Sequence, residues 1–348
     1  MKEELTKRIN YILDKYSDEN DIMFHLRNLV YENEIKTGIT RETKTISSLF
    51  SESMDALQNK KPFCKIFSTG FASLDNEIGG FYEGEYIVIG SRPSMGKTQF
   101  LINLAIQMSK QHKVLFYSFD LTNFLLSNRI ISTLSGVPFD KILQQKLTEE
   151  EVTKIAIVEK EISCLKIYMN DSFDSSVSAF RNECLKQINE NGVTIIIIDY
   201  LQLMSSYRYR NHRELEISYI SRELKKIAKE NNVCVIVSSQ LSRATELRSG
   251  TKRPQLSDLR ESGAIEQDAD KVIFLHRPER YGLIEDEEGN SLINIVELIT
   301  AKNRNGRLGD ISLVKDDEFT ILKDFEGIVN TFEFSAERLK DFDNNAPF

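Results

Sequence analysis

The segment GSRPSMGKT (90–98) follows the apolar run EYIVIG (85–90) and precedes a stretch with helical spacing, 97–111. A strand, a glycine-bearing turn and a helix start, in that order, can bind phosphate. Glycines let successive backbone N–H groups face one anion, and the helix N-terminus adds partial positive charge. Lys97 then supplies a full charge for the β- and γ-phosphates of a nucleotide, and Thr98 offers a hydroxyl to Mg²⁺. The run Ser91, Arg92, Pro93, Ser94, Met95, Gly96, Lys97 and Thr98 is therefore the candidate nucleotide-binding loop. It departs from G-x-x-x-x-G-K-[ST] in one respect: the first position is Ser91, and Gly90 stands one place early.

Two further apolar runs end in polar residues. IIIIDYLQLM (195–204) carries Asp199 at the C-terminal end of its strand, where a carboxylate lies beside the phosphate loop and can hold Mg²⁺ directly or through water. VIVSSQ (235–240) ends in Gln240. A buried amide needs partners, and contact with the γ-phosphate region, as a sensor, meets that need.

These residues require a scaffold that brings strand ends together. Short β-branched runs at 85–90, 114–118, 165–169, 193–199, 233–239 and 271–276 alternate with helical stretches at 97–111, 122–135, 149–162, 174–191 and 213–231. Near-continuous apolar strands separated by helices predict an α/β fold with a mainly parallel central sheet covered on both faces. Thr148 and Glu151 form a capping box at one helix start, and 293–323 predicts shorter antiparallel strands at one edge. Before the sheet, Ile9, Ile12 and Leu13, then Met23, Leu26, Leu29 and Val30, give short amphipathic stripes. GITRETKT (38–45) reads as a linker, and Phe50, Met54 and Leu57 mark a further helix that must pack on something. The expected organisation is a short helical extension (1–45), a linker helix (46–62), one large α/β domain (63–330) and a C-terminal tail (331–348), whose end FDNNAPF is expected to be disordered.

The net charge of −8 argues against a protein coated in basic patches, although a ring can line its channel with positive loops and stay acidic outside. No apolar run approaches the roughly 20 residues of a membrane span, and MKEELTKRIN lacks a signal-peptide core, so the expected location is cytoplasmic. Cys64, Cys164, Cys184 and Cys234 show no CxxC spacing and read as reduced, mostly buried thiols. The four histidines are dispersed and suggest no metal site.

Seven segments in order — STGFASLDNEIGGF (68–81), SRPSMGKT, IDYLQLM, ISRELKKIAKE (220–230), SSQLSR (238–243), RPQLSDLRESGAIEQDAD (253–270) and AKNRNGRLG (301–309) — resemble the RecA-like P-loop NTPase motor domain at the C-terminus of DnaB-family replicative helicases. The resemblance runs from about Ser68 to Asp324. It implies an ATP- and Mg²⁺-dependent 5′–3′ DNA helicase that moves along single-stranded DNA as a homo-hexameric ring. It assigns Lys97 and Thr98 to nucleotide and metal, Asp199 to the metal, and Gln240 to sensing. Lys302 and Arg304 match the pair that reaches the next subunit's ATP site, where an arginine neutralises charge developing on the γ-phosphate. On residue types alone, that pair reads instead as a solvated charge pair in a turn containing Asn305-Gly306. The SDLRESG loop (257–263) matches the one holding the DNA backbone: Arg260 and the backbone at Gly263 would meet phosphate, while Glu261 orients the loop or touches a neighbour. SSYRYRNHR (205–213) reads either as a second channel loop or as a solvated surface loop.

The sequence departs from the family pattern in two places. Within FYSFDLTNF (116–124), where the family's strand ends in a water-activating glutamate, the matching residue is Asp120. Its carboxylate retreats by roughly 1 Å, a displacement that can cost about a hundredfold in rate. Full-length relatives also carry a larger helical N-terminal domain that binds primase; the short extension here makes primase binding doubtful, while helix 46–60 looks like the linker helix that closes the ring. A second reading of the same residues is a RecA-like DNA-binding ATPase that hydrolyses slowly and acts as a switch. A third is an inactive ring subunit, which the intact set from Lys97 to Arg304 disfavours.

Overall fold

A computed structural model of the chain describes residues 2–16, 18, 21–23, 25–26, 29, 43–172, 174–209, 211–248, 250–259 and 263–325. Expectations placed on Val30, 38–42, Arg210, Arg260, Glu261, Ser262 and the tail 331–348 lie outside the described residues. Contacts divide the chain into two compact units, Met1–Phe63 and Cys64–Phe348.

In the first unit, helix α1 spans Lys2–Lys15 and α2 spans Ile46–Gln58. Thr45 caps α2 by accepting from the Ser48 N–H, which satisfies one of the free donors at a helix start. None of its residues is buried, and Ile46, Leu49, Phe50, Met54 and Leu57 all remain exposed. That row recurs at helical spacing, so α2 presents an apolar stripe.

The second unit opens with a small hairpin, β1 (Ile66–Phe67) and β2 (Phe81–Tyr82), around helix α3 (Ala72–Ile78). The main sheet follows. Its strands are β3 (Tyr86–Ser91), β4 (Val114–Ser118), β5 (Ile167–Asn170), β6 (Ile195–Asp199), β7 (Cys234–Gln240), β8 (Lys271–His276), β9 (Ile295–Asn303), β10 (Gly309–Lys315) and β11 (Leu322–Asp324). Their spatial order is β11-β10-β9-β8-β3-β7-β6-β4-β5. From β8 to β5 all pairings are parallel; from β8 to β11 they are antiparallel. The antiparallel edge falls where the alternation of 293–323 predicts it, although β9 is the longest strand of the sheet rather than a short one.

Helices cover both faces. They are α4 (Lys97–Ser109), α5 (Asn123–Ser135), α6 (Phe139–Gln144), α7 (Glu149–Cys164), α8 (Val177–Asn191), α9 (Arg213–Asn231), α10 (Ala244–Leu247) and α11 (Gly263–Asp268). Two hydrophobic clusters explain the continuous apolar strands. Ile87, Ile89, Ile195 and Ile197 join one with Phe100, Leu101 and Leu104 of α4; Tyr86, Val88, Ile196 and Ile198 join the other with Ile217, Ile220 and Leu224 of α9. Each such buried side chain contributes about 1.5–3 kcal/mol relative to exposure. The capping box at Thr148 and Glu151 is present at the start of α7.

All four cysteines are free thiols, but only Cys184 and Cys234 are buried, Cys164 being exposed on α7. The expectation of mostly buried thiols therefore holds for two of them, because α7 buries only Val158 and leaves its remaining positions accessible. No helix among the described residues is long and apolar enough to cross a membrane.

Candidate functional site

Parallel strands place their C-terminal ends along one rim, the usual ligand side of such sheets. Along it stand the 91–98 loop after β3, Asp120 after β4, Asp199 ending β6 and Gln240 ending β7. β7 lies between β3 and β6, so Ser91 pairs with Gln240 while Ser118 pairs with Asp199. The Phe119 N–H donates to the Asp199 carbonyl at 2.8 Å, fixing the turn that carries Asp120.

The rim encloses a cleft of about 450 Å³ lined by the phosphate loop, Asp120, Arg129, Asp199, Tyr200, Gln240, Glu318 and Phe319 among others. That volume suits a small-molecule ligand. A shallower groove beside Ile157 and Cys164 on α7 gathers no comparable set of polar groups.

Inside the cleft the Thr98 hydroxyl donates to Asp199 Oδ2 at 2.5 Å, and Ser238 donates to Oδ1 at 2.5 Å. Asp199 is 1% exposed. A hydroxyl and a carboxylate in contact are hard oxygen donors, the set that fits Mg²⁺ with the rest of its shell left to phosphate and water. Lys97 opens α4 with its ammonium 4.5 Å from the centre of the Tyr200 ring. Burial pulls its pKa below the ordinary lysine range, and the Asp199 and Asp120 carboxylates oppose that shift. A desolvated ammonium is suited to receive an anion. Gly96 caps α4 at φ +92°, and a Cβ there would stand 1.4 Å from the Phe319 ring, so glycine is required on two counts.

The Phe319 turn is held in place from α4. Gln99 and Asn103 both donate to the Thr320 carbonyl, at 2.7 and 3.1 Å. Arg129 of α5 lies with its guanidinium 4.4 Å from the Phe139 ring centre, and its Nε has no partner among the described residues. Burial lowers its pKa, opposed by Asp199. Gln202 braces the end of β7: its amide donates to Ser239 Oγ at 2.9 Å and accepts from the Gln240 N–H at 3.1 Å. Sequence reading missed Arg129, Tyr200, Gln202, Glu318 and Phe319. Each stands in a helix or turn with no motif of its own; only the resemblance of IDYLQLM covered two of them, without a role.

The loop residues do not all face the cleft in the same way. The Arg92 guanidinium is bound by Glu246 and the Leu241 carbonyl, while the residue itself lines the cleft.

Lys302 and Arg304 are not brought to this cleft. Lys302 Nζ donates to the Glu266 carbonyl at 2.5 Å, and Arg304 donates to the Gln267 carbonyl. Arg304 also stands 3.5 Å from Asp270 and is nearly half exposed. Both cations thus sit at the C-terminal end of α11, whose free carbonyls carry partial negative charge. α11 begins at Gly263, so the pair and the SDLRESG loop occupy opposite ends of one short helix. In the 205–213 loop, Tyr207 is 75% exposed, and the Arg208 guanidinium lies over the Tyr209 and Tyr219 rings.

The DnaB-like helicase C terminal domain model matches residues 67–324. The chain belongs to that family. It is 38% identical over 309 residues to a probable replicative DNA helicase of Trieres chinensis, covering 87% of this chain and 66% of that protein. It is 39% identical over 271 residues to the replicative DNA helicase DnaC of Bacillus subtilis (strain 168), covering 77% of this chain and 58% of that one. The chain spans about three fifths of the length of the curated relatives it matches. Among solved structures, one ATPase domain superposes with a TM-score of 0.74 at 34% identity, covering 82% of this chain and all of that one. A DnaB-like replicative helicase studied for its interactions with primase superposes at 0.72 with 31% identity, covering 93% and 77%. The family and the sheet agree: the fold is the RecA-like α/β fold expected from the segments quoted above.

Proposed function

We propose that this chain is the motor of an ATP-driven DNA helicase that works as a ring, most simply a hexamer, moving 5′–3′ along single-stranded DNA. One observation carries the reading: the cleft gathers Lys97, Thr98, Asp199, Asp120 and Gln240 within one chain, while Lys302 and Arg304 stand outside it. A nucleotide site that lacks its own finger pair is completed by a neighbour, which requires assembly.

In this reading Lys97 and the start of α4 bind the phosphates. Thr98 and Asp199 hold Mg²⁺, which when bound neutralises phosphate charge. Asp120 takes the proton of the attacking water, and Gln240 meets the γ-phosphate. Lys302 and Arg304 leave the α11 carbonyls to reach the adjacent subunit's nucleotide. Arg260 and the backbone at Gly263 hold DNA phosphates, and Glu261 orients the loop. The exposed apolar stripe of α2 supports a role as the linker helix, covered by the next subunit in the ring.

A second reading, a slow ATPase acting as a DNA-bound switch, is favoured by Asp120, whose shorter side chain stands exposed at the cleft mouth. Measuring ATP turnover with and without single-stranded DNA separates the two. The motor predicts turnover raised severalfold by DNA, and unwinding of a forked duplex carrying a 5′ tail. Tight ATP binding with slow turnover indifferent to DNA would replace the motor with the switch.

A further inference from the structure

The turn between β9 and β10 carries Arg304, and it is closed by its own residues. The Asn303 amide donates to the Arg307 carbonyl at 3.0 Å and accepts from the Asn305 N–H at 3.2 Å. A Cβ on Gly306 would stand 2.8 Å from that amide, so the turn is tight. Just before it β9 bulges. Val272 pairs with Lys302 and Ile273 with Thr300, which leaves Ala301 as the extra residue. A bulge bends its strand and re-aims the side chains beyond it.

Two carboxylates beside the starts of β3 and β8 hold this turn, and each has a lysine of its own. Asp270 Oδ2 takes the Lys225 ammonium at 2.5 Å and the Tyr86 N–H at 2.8 Å, and the Asp270 carbonyl accepts the Arg304 N–H at 2.9 Å. Glu85 is 3% exposed, and both its oxygens take the ammonium of the fully buried Lys271 at 2.6 Å. Oε2 also accepts the Tyr82 N–H at 2.9 Å, and Oε1 accepts the Asn305 amide at 2.7 Å. Asn305 itself is exposed.

The residue type at 305 matters. The charge of Glu85 is already balanced by Lys271. A cation at 305 would contest that pair, and an acid would leave like charges facing across a buried carboxylate. An amide is a neutral donor to a charged acceptor, a strong bond that adds no charge. Neither this bond nor the Arg304 N–H bond uses the Arg304 side chain. The base of the turn is therefore fixed independently of where the guanidinium points.

We propose that Asn305 is a positioning residue: its bond to Glu85 fixes the turn from which Arg304 is presented to the adjacent subunit's nucleotide. The inference rests on the functional reading above, in which Arg304 acts in trans. There the guanidinium gives up Asp270 and the Gln267 carbonyl, while the two bonds at the base of the turn remain. Without the Asn305 bond the turn hangs on the Arg304 N–H alone. A displacement of about 1 Å in a group serving the reaction can lower the rate about a hundredfold.

The test uses Asn305→Ala in the full chain, with DNA-stimulated ATP turnover and the affinity for a non-hydrolysable ATP analogue as readouts. Glu85 keeps Lys271 and the Tyr82 N–H in this variant, so the fold is retained, which thermal melting checks; Asn305→Ser carries the same comparisons should the alanine variant melt early. Turnover is expected to fall by about tenfold, part of the loss a displaced group produces, with analogue affinity within about twofold. Asn305→Asp falls at least as far, and Asn305→Gln, which keeps the amide on a longer arm, recovers part of the rate. The decisive variant is Arg304→Ala/Asn305→Ala, expected to be no slower than Arg304→Ala, because a residue that acts through another has nothing to add once that other is gone. Asn305→Ala mixed with Lys97→Ala recovers turnover above either alone; mixed with Arg304→Ala it recovers none, both defects lying on one turn. Wild-type turnover in Asn305→Ala, with Arg304→Ala slow, overturns the proposal and leaves the functional reading standing. A double variant slower than Arg304→Ala by the full tenfold also overturns it and makes Asn305 a brace unrelated to Arg304. Wild-type turnover in Arg304→Ala removes the functional reading, and the proposal with it.

Discussion

The cleft around the 91–98 loop and the edge that carries Lys302 and Arg304 are built from the same kinds of residue and treated in opposite ways. In the cleft, Asp199 is sealed from solvent and bonded by Thr98 and Ser238, and Lys97 is desolvated beside it. At the edge, Arg304 is nearly half exposed and rests on the Gln267 carbonyl and, at 3.5 Å, on the Asp270 carboxylate. Burial lowers the Lys302 pKa as well, with Arg304 adding to that shift, so a second cation beside it is tolerated only because Asp270, Glu266 and Asp268 oppose it. The first region is preorganised for a ligand. The second holds its cations on the C-terminal carbonyls of α11 and on Asp270, away from the cleft.

The most decisive way to break this contrast is to separate the two regions onto different subunits. Arg304→Ala and Lys97→Ala alone are each expected to lower ATP turnover by on the order of 10³-fold, for loss of a finger or of a phosphate donor. Mixed in one assembly, they recover part of the activity, because an intact Arg304 from one subunit serves an intact cleft on its neighbour. Steady-state turnover across a series of mixing ratios reads this directly. Recovery absent at every ratio would mean that Arg304 works only within its own chain, as a cap on α11.

A smaller effect sharpens the cleft itself. Asp120→Asn is expected to lower turnover by on the order of 10²-fold with ATP affinity retained, the usual contribution of a general base. Asp120→Glu restores the missing methylene and raises turnover severalfold. If single-turnover hydrolysis by Asp120→Asn matched the wild type, proton transfer would belong to another group.

The smallest effect concerns β8, the strand between the cleft's β3 and the edge's β9. Burial and the Arg253 charge push the His276 imidazole down to about 4, and its Nε2 has no partner among the described residues. The unfolded chain binds that proton near pH 6.5, so between pH 6.5 and 4 it holds more protons than the folded chain. Stability therefore falls as the pH drops through that window, by on the order of 3 kcal/mol in total, and is fully retained above it. Melting temperatures of wild type and His276→Asn across pH 4–7 should converge at the acid end. Parallel curves would remove His276 from the account.

Much of the scaffold was legible because its signals are local. Strands buried on both faces, such as 195–199 and 234–240, must be continuously apolar, and their polar terminal residues stand out for that reason. The strand, turn and helix start around 91–98 were equally clear, since the glycine that makes the turn acts through neighbouring backbone. Arg129 and Phe319 carried no such mark. One lies on an ordinary amphipathic helix and the other in the acidic turn DDEF, and both reach the cleft only through the packing of α5 and the β10–β11 turn.

By itself the sequence determined the order of strands and helices along the chain, the glycine-bearing turn after β3, and the carboxylate and amide that end β6 and β7. These follow from periodicity and short-range backbone geometry, which depend on residues close in the chain. Tertiary structure alone decided that Arg92 pairs with Glu246, that Phe319 closes over Gly96, and that Lys302 and Arg304 rest on α11. Those outcomes are choices among competing partners of like charge or polarity, and only the distances set by the packed sheet rank them.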